Sequence, residues 1–128
     1  MAFELLESSL VAAAAGTDVT LELGVVPESF SQTNWVPTKV ALVSPALLTG
    51  ATATAITFSV RANRAGTPQT AFASLATITG TNLAAGTEVV LPITTGTTLL
   101  AGDALELVLT HASTGTAYGA VLCRVELQ

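Results

Sequence analysis

The chain's one histidine, His111, stands eight residues after Asp103 and two before Ser113. A histidine between a carboxylate and a hydroxyl is the set used in nucleophilic catalysis, where the acid orients the imidazole and the imidazole takes the hydroxyl proton. Such a set works only if the side chains converge. On one extended strand, Asp103 and His111 would lie roughly 26 Å apart, so they cannot touch there. A histidine where a strand meets a loop is expected in solvent, and no catalytic residue is expected in this chain. Asp18, Glu22, Asp103 and Glu106 are the carboxylates that could hold a hard cation, which needs several oxygens from one loop or two adjacent ones. Asp103 follows Gly102 and Asp18 follows Gly16-Thr17, where acids hold turns through local bonds to the backbone. The turn is the expected role, with no metal and no cofactor. The pairs Thr52-Ala53-Thr54 and Thr77-Ile78-Thr79 are too few for an ice-ordering array and read as the outer surface of strands. Cys123 reads as a small buried apolar residue.

Two segments could contact a partner. Phe30-Ser31-Gln32-Thr33-Asn34-Trp35 sets two aromatics among amides and hydroxyls, a composition suited to capping the core, anchoring a protein interface or holding a sugar. At the N-terminus, Phe3, Leu5, Leu6 and Leu10 put apolar area on more than one face. Met1 to Leu10 is read as a docking arm or as the first strand of the fold. The candidate partner-binding residues are therefore Phe3, Leu5, Leu6, Leu10, Phe30 and Trp35.

These residues need a scaffold, and the composition says which. The chain has 128 residues, 50% of them hydrophobic and only 10% charged. A chain of this length buries roughly two-thirds of its unfolded surface, so one domain over 1–128 is expected. The longest apolar run, about Leu10 to Ala15, is far short of the roughly 20 residues of a membrane span. Lys39, Arg61, Arg64 and Arg124 are the only bases, against nine acids, for a net charge of −5. They are too scattered to form the basic stripe that releases phosphate counterions from nucleic acid. Acids at Glu4 and Glu7 stand where a secretory signal has positive charge, so synthesis in a cytoplasm is expected. One cysteine allows neither an intrachain disulfide nor a multi-cysteine zinc site.

With 22 Ala and 21 Thr, the chain is rich in residues that suit small, half-exposed strand surfaces. Period-2 alternation places the strands. Asp18–Val25 puts Val19, Leu21, Leu23 and Val25 inward. Ala53–Arg61 puts Ile56, Phe58 and Val60 inward and Ala55 outward. Asp103–Thr110 puts Leu105, Leu107 and Leu109 inward with Glu106 outward, and Tyr118–Leu127 puts Val121, Cys123, Val125 and Leu127 inward. Trp35–Ser44, Thr70–Thr79, Glu88–Ile93 and Phe3–Val11 are further strands. Between them Gly-Thr recurs at Gly16, Gly66, Gly80, Gly86, Gly96 and Gly115, where glycine supplies positive φ and threonine restarts a strand. Eight short strands in one small all-β domain predict a jelly-roll sandwich of two four-stranded sheets. An immunoglobulin-like sandwich is the alternative, with only Trp35 and Cys123 available for its Cys…Trp…Cys pattern.

From Thr49 to Gln128 the sequence also resembles a known family. Ile56-Thr57-Phe58-Ser59-Val60-Arg61, then Leu99-Leu100-Ala101-Gly102-Asp103-Ala104-Leu105, and finally Val121-Leu122-Cys123-Arg124-Val125-Glu126-Leu127 resemble small virion proteins of tailed bacteriophages. Many of those are jelly-roll capsid decoration or head-fibre proteins. The motifs mark strands and turns, and no catalytic set travels with them. The resemblance implies a non-enzymatic structural protein on the capsid surface, docked on the major capsid protein. Val43, Val90 and Val108, on the otherwise polar phase of their strands, call for a cover and predict self-association, as a homotrimer. No nucleic acid or membrane partner is expected. A receptor- or glycan-binding module of a tail fibre or spike is the competing reading.

Overall fold

Alternating apolar residues become strands because one face of each can be buried, and in the computed structural model, which describes residues 4–10, 18–28, 33–112 and 120–128, strands are almost all of the regular secondary structure. In chain order they are β1 (Glu4–Leu10), β2 (Val19–Val25), β3 (Asn34–Trp35), β4 (Pro37–Val43), β5 (Ile56–Arg64), β6 (Thr67–Pro68), β7 (Ala73–Ala76), β8 (Glu88–Leu91), β9 (Leu99–Leu100), β10 (Ala104–His111) and β11 (Val121–Leu127). A single 3-10 turn, Thr52–Thr54, precedes β5, and no α-helix occurs among the described residues.

One sheet runs β1-β11-β4-β8. The other runs β2-β10-β5, with β6 and β7 both pairing β5, and β3 with β9 form a two-stranded clip. Numbered alone, the eight longer strands read 1-8-3-6 in one sheet and 2-7-4-5 in the other. Every connection but one therefore crosses between sheets, which is the wrapped order of a jelly roll. An immunoglobulin-like sandwich joins neighbours within a sheet far more often. The fold is an all-β jelly-roll sandwich.

Its core lies between the sheets. Phe58, Ile56, Leu42, Leu91, Leu105, Leu107, Leu109, Val121, Cys123, Val125 and Leu127 are fully or almost fully buried. Each Leu or Phe taken out of water in this way contributes about 1.5–3 kcal/mol. Of the Gly-Thr turns, those at Gly66, Gly80, Gly86 and Gly96 place glycine at positive φ, and Gly16 and Gly115 lie outside the described residues. In the β5–β6 hairpin, for example, Ala65 (φ 50°) and Gly66 (φ 83°) both take positive φ, as a two-residue primed turn demands.

Several expectations are corrected. Val25 is 57% exposed and Val26 is buried instead. A bulge shifts the β2–β10 register, so that Leu105 faces Gly24 and Glu106 faces Glu22, and the alternation flips after Leu23. Ala55 is buried at the entry to β5, and the strand expected from Ala53 begins only at Ile56 because Thr52–Thr54 forms the 3-10 turn. The strand expected over Thr70–Thr79 shrinks to Ala73–Ala76. Glu106 keeps the outward phase yet is buried, for reasons given below.

Candidate docking surfaces and their electrostatics

Glu4–Leu10 is paired along its whole length with β11, from Glu4↔Leu127 to Leu10↔Val121. The segment read as an arm or a first strand thus forms an edge strand of the sandwich. Leu5, opposite Glu126, is 41% exposed on the outer face, whereas Leu6 packs against the core. Trp35 is buried opposite Leu99, and its indole N–H donates to the Pro27 carbonyl at 3.1 Å. That makes it a cap on the core and removes its ring face from any platform. Phe3 and Phe30 lie outside the described residues. Glu4 pairs with Leu127, and Gln128 exchanges two backbone bonds with Val36, so Leu5 and Trp35 stand at the same end of the sandwich. One faces outward and the other inward, and they form no common surface.

All four bases are engaged within the chain. Arg64 forks onto Asp103, with Nε donating to Oδ1 at 2.9 Å and Nη2 to Oδ2 at 2.8 Å, while the Leu100 N–H donates to the same Oδ2 at 3.0 Å. The Asp103 side chain is 2% exposed. The Arg64 guanidinium, helped by the Leu100 amide, holds this carboxyl below its ordinary range against the opposing effect of burial. Arg61 Nε and Asn63 Nδ2 donate to Glu106 at 2.9 and 3.1 Å. Both lie on β5 beside it, which is how an acid on the outward phase comes to be buried. On the outer face of the first sheet, Arg124 joins Glu7 at 2.9 Å and Glu88 at 3.7 Å, and Lys39 joins Glu88 at 2.5 Å. Lys39, chiefly through its hydrogen bond, lowers the Glu88 carboxyl. This chain of charges crosses all four strands.

The residues that suggested catalysis are split up. Asp103 belongs to Arg64, and His111 pairs with Asp18, its Nδ1 2.8 Å from Oδ1, while the same oxygen accepts the His111 backbone N–H at 3.0 Å. The His111 side chain is buried rather than solvated, because β10 delivers it to the mouth of β2. Ser113 lies outside the described residues. Of the four carboxylates weighed for a cation, Asp103 and Glu106 are taken by arginines and Asp18 by histidine. No group of three or more His, Cys, Asp and Glu gathers among the described residues. Burial pushes the Cys123 thiol up to about 12, so it stays protonated and unreactive. No described helix is long and apolar enough to cross a membrane.

Two shallow depressions of about 270 and 380 Å³ share Ala71, Phe72 and Thr94 along the β7 edge. Ser59, Ser74, Gln69, Thr97 and Thr98 supply hydroxyls and an amide to their walls.

At the opposite end two connections are tied to each other without charge. The β4–β5 and β7–β8 connections are stitched by paired Leu48–Leu83 backbone bonds at 2.9 Å and by Gly86 N–H to the Ser44 carbonyl at 2.8 Å. Thr52 and Thr79 each donate a backbone N–H to the other's Oγ1 at 3.1 Å, and the Gly50 N–H donates to Asn82 Oδ1 at 2.7 Å.

No protein-family model matches the chain, and no curated protein matches it. Among solved structures it is similar to one of infectious bursal disease virus, Gx strain, at 14% identity and a TM-score of 0.39. That similarity covers 96% of this chain and 32% of the other, so the chain spans about a third of that protein's length.

Proposed function

We propose that this chain is a non-enzymatic structural protein of a virion: a capsid decoration or auxiliary head protein of a tailed bacteriophage. In this reading it is made in the host cytoplasm, docks on the assembled lattice of the major capsid protein, and self-associates as a trimer. The observation that carries the reading is a jelly roll whose four bases are all engaged internally. A jelly roll alone serves many functions, so the surface has to decide. With no base left over, the surface offers nothing to phosphate, and the outer face of the second sheet is mostly hydroxyls and Ala, with Thr20, Thr57, Ser59, Ser74, Ala76, Ala104 and Thr110 on that phase. Surfaces depleted in charge suit the centre of protein interfaces. Val90 is 56% exposed on the outer face of the first sheet, and Val43 and Val108 are half-buried on theirs.

Sedimentation with empty capsids of the parent phage tests this. Saturable co-sedimentation is expected, and a chain that stays in the supernatant at micromolar concentration overturns the reading. The hydroxyl-lined depressions along β7 favour one second reading, a glycan-binding module of a tail fibre or spike. Retention on immobilised saccharides without capsid binding would select it.

A further inference from the structure

The two depressions along β7 join at Ala71, Phe72 and Thr94, so they form one trough with two compartments. Backbone bonds fix its frame: Gln69 N–H to the Ala62 carbonyl at 2.8 Å, Phe72 N–H to that of Val60 at 2.9 Å, and Thr94 N–H to that of Phe72 at 2.8 Å. Phe72 and Leu99 line it although they are almost fully buried, which makes them its apolar floor. The walls carry hydroxyls that the fold does not use. Among the described residues, the side chains of Thr70, Thr94 and Thr98 have no partner within the chain. By contrast, the hydroxyls of Thr52, Thr77 and Thr79 are all taken up in local closure.

Among the described residues, Arg64 is the only charged one that lines either compartment, and its charge is already matched. Its Nε and Nη2 fork onto the buried Asp103 carboxylate. The guanidinium's other N–H groups, both on Nη1 and one on Nη2, remain as donors, on a side chain that is partly exposed. The fork holds their plane in place. Gln69 adds an acceptor, because its Nε2 donates to the Thr67 carbonyl at 2.9 Å and leaves Oε1. The next charge along the chain on this side, Glu88, is held by Lys39 and Arg124. The trough is polar without being charged.

We propose that this trough binds a neutral saccharide of two or more rings. The inference rests on the glycan reading of the depressions, and adds the ligand's charge, its length and the residues that hold it. A sugar ring has an apolar C–H face and a rim of hydroxyls that donate and accept. The floor of Phe72 and Leu99 matches the face, and Arg64, Gln69 and the threonines match the rim. Such a division, apolar lining with a few placed polar groups, is that of small-molecule sites, whose volumes run from roughly 300 to 1,000 Å³. Compartments of about 270 and 380 Å³ lie near the lower bound, which allots one ring to each. An apolar peptide side chain would leave the walls unpaired, and an acidic ligand would meet the Asp103 carboxylate behind Arg64. Because the frame and the fork are already set, binding orders little of the protein.

Retention of the full chain on immobilised neutral di- and trisaccharides of glucose, galactose, mannose and N-acetylglucosamine tests this, with sialyllactose and heparin as acidic probes. The parent is expected to be held by a neutral saccharide and released by the same saccharide in solution. Thr94→Val and Thr98→Val each remove a hydroxyl at nearly constant shape, and should weaken retention about threefold to tenfold. Ala71→Leu, which narrows the trough where its compartments join, should abolish it. Thr20→Val, on β2 at the other edge of the sheet, should stay within about twofold of the parent. Unchanged thermal unfolding is the control, and Thr70→Val replaces a variant that melts early. Retention confined to sialyllactose or heparin, or unchanged in every trough variant, overturns this inference and leaves the glycan reading standing. No retention on any saccharide overturns both.

Discussion

The two ends of the sandwich perform the same task, tying loops from both sheets across an open edge, with different chemistry. At the end bearing Leu47 and Ile78, beside the Asp18–His111 pair, the β4–β5 and β7–β8 connections are tied to each other by backbone amides, threonine hydroxyls and one asparagine. At the other end they are an arginine–aspartate fork, a buried indole and the Val36–Gln128 backbone pair. The first set has no titratable group. The second is organised around a buried carboxylate whose charge needs Arg64 and the Leu100 amide. A closure without charge leaves its surface open to apolar contact, and one built on an ion pair responds to pH.

The largest expected effect is at the neutral end. A Cβ added to Gly50 would fall 2.0 Å from the Ile78 carbonyl oxygen and 2.3 Å from that of Thr81. Both atoms are backbone, so the two connections must part to admit it. Gly50→Ala is expected to cost about 3 kcal/mol or more, read as a lower denaturation midpoint with an unchanged slope. A loss below about 0.5 kcal/mol would mean that this closure is loose, and the contrast between the ends would fail.

The charged end comes next. Asp103→Ala removes the acid rather than the base, and the released Arg64, already 39% exposed, can be hydrated. The expected cost is about 2 kcal/mol, for charge-assisted bonds lost from a buried group. The pH dependence has a definite sign. The Asp103 carboxyl lies below its ordinary value in the folded chain, so its contribution is complete above about pH 4, where the unfolded carboxylate is ionised. It is lost as pH falls through the folded value, because the unfolded chain takes up protons first. Urea unfolding at neutral and acid pH should therefore show parent and Asp103→Ala converging in acid. Parallel curves would show that Asp103 is not the titrating tie.

The same contrast marks what was legible in the sequence. Leu105, Leu107, Leu109 and the Val121–Leu127 alternation announce themselves because a strand with one buried face must repeat every second residue. Two strands departed from their simple reading for physical reasons. Val25 turned outward because β2 carries one extra residue between Glu22 and Gly24 against an unbroken β10, with Gly24 at φ 145° beside it. Thr52–Thr54 left the strand for a 3-10 turn braced by Thr79, 27 residues away. The ionic ties were out of reach for the same reason: Asp103 and Arg64 are 39 residues apart, and Asp18 and His111 are 93. Only the paired sheets bring them together. Trp35, conspicuous among polar neighbours, carried no local sign that its N–H would find Pro27 and its ring the core.

The smallest effect should come from the charges on the outer face of the first sheet, although they form the longest network in the molecule. Arg124 reaches both Glu7 and Glu88, but the side chains of this network, Lys39 included, are 32–39% exposed. Among exposed groups, water and salt screen the attraction, and ordering long side chains offsets much of what remains. Glu88 also keeps Lys39, the main cause of its lowered carboxyl, when Arg124 is gone. Arg124 stands opposite Ala41, which has no exposed surface although it lies on the outer phase. Replacement by Gln, which keeps part of the aliphatic stem, therefore separates lost charge from lost cover. Arg124→Gln is expected to unfold at the parent's temperature to within replicate scatter, and about 0.5 M salt should leave that agreement unchanged. A loss as large as that of Asp103→Ala, removed by salt, would move the ionic stabilisation from the charged end to the open face of the sheet.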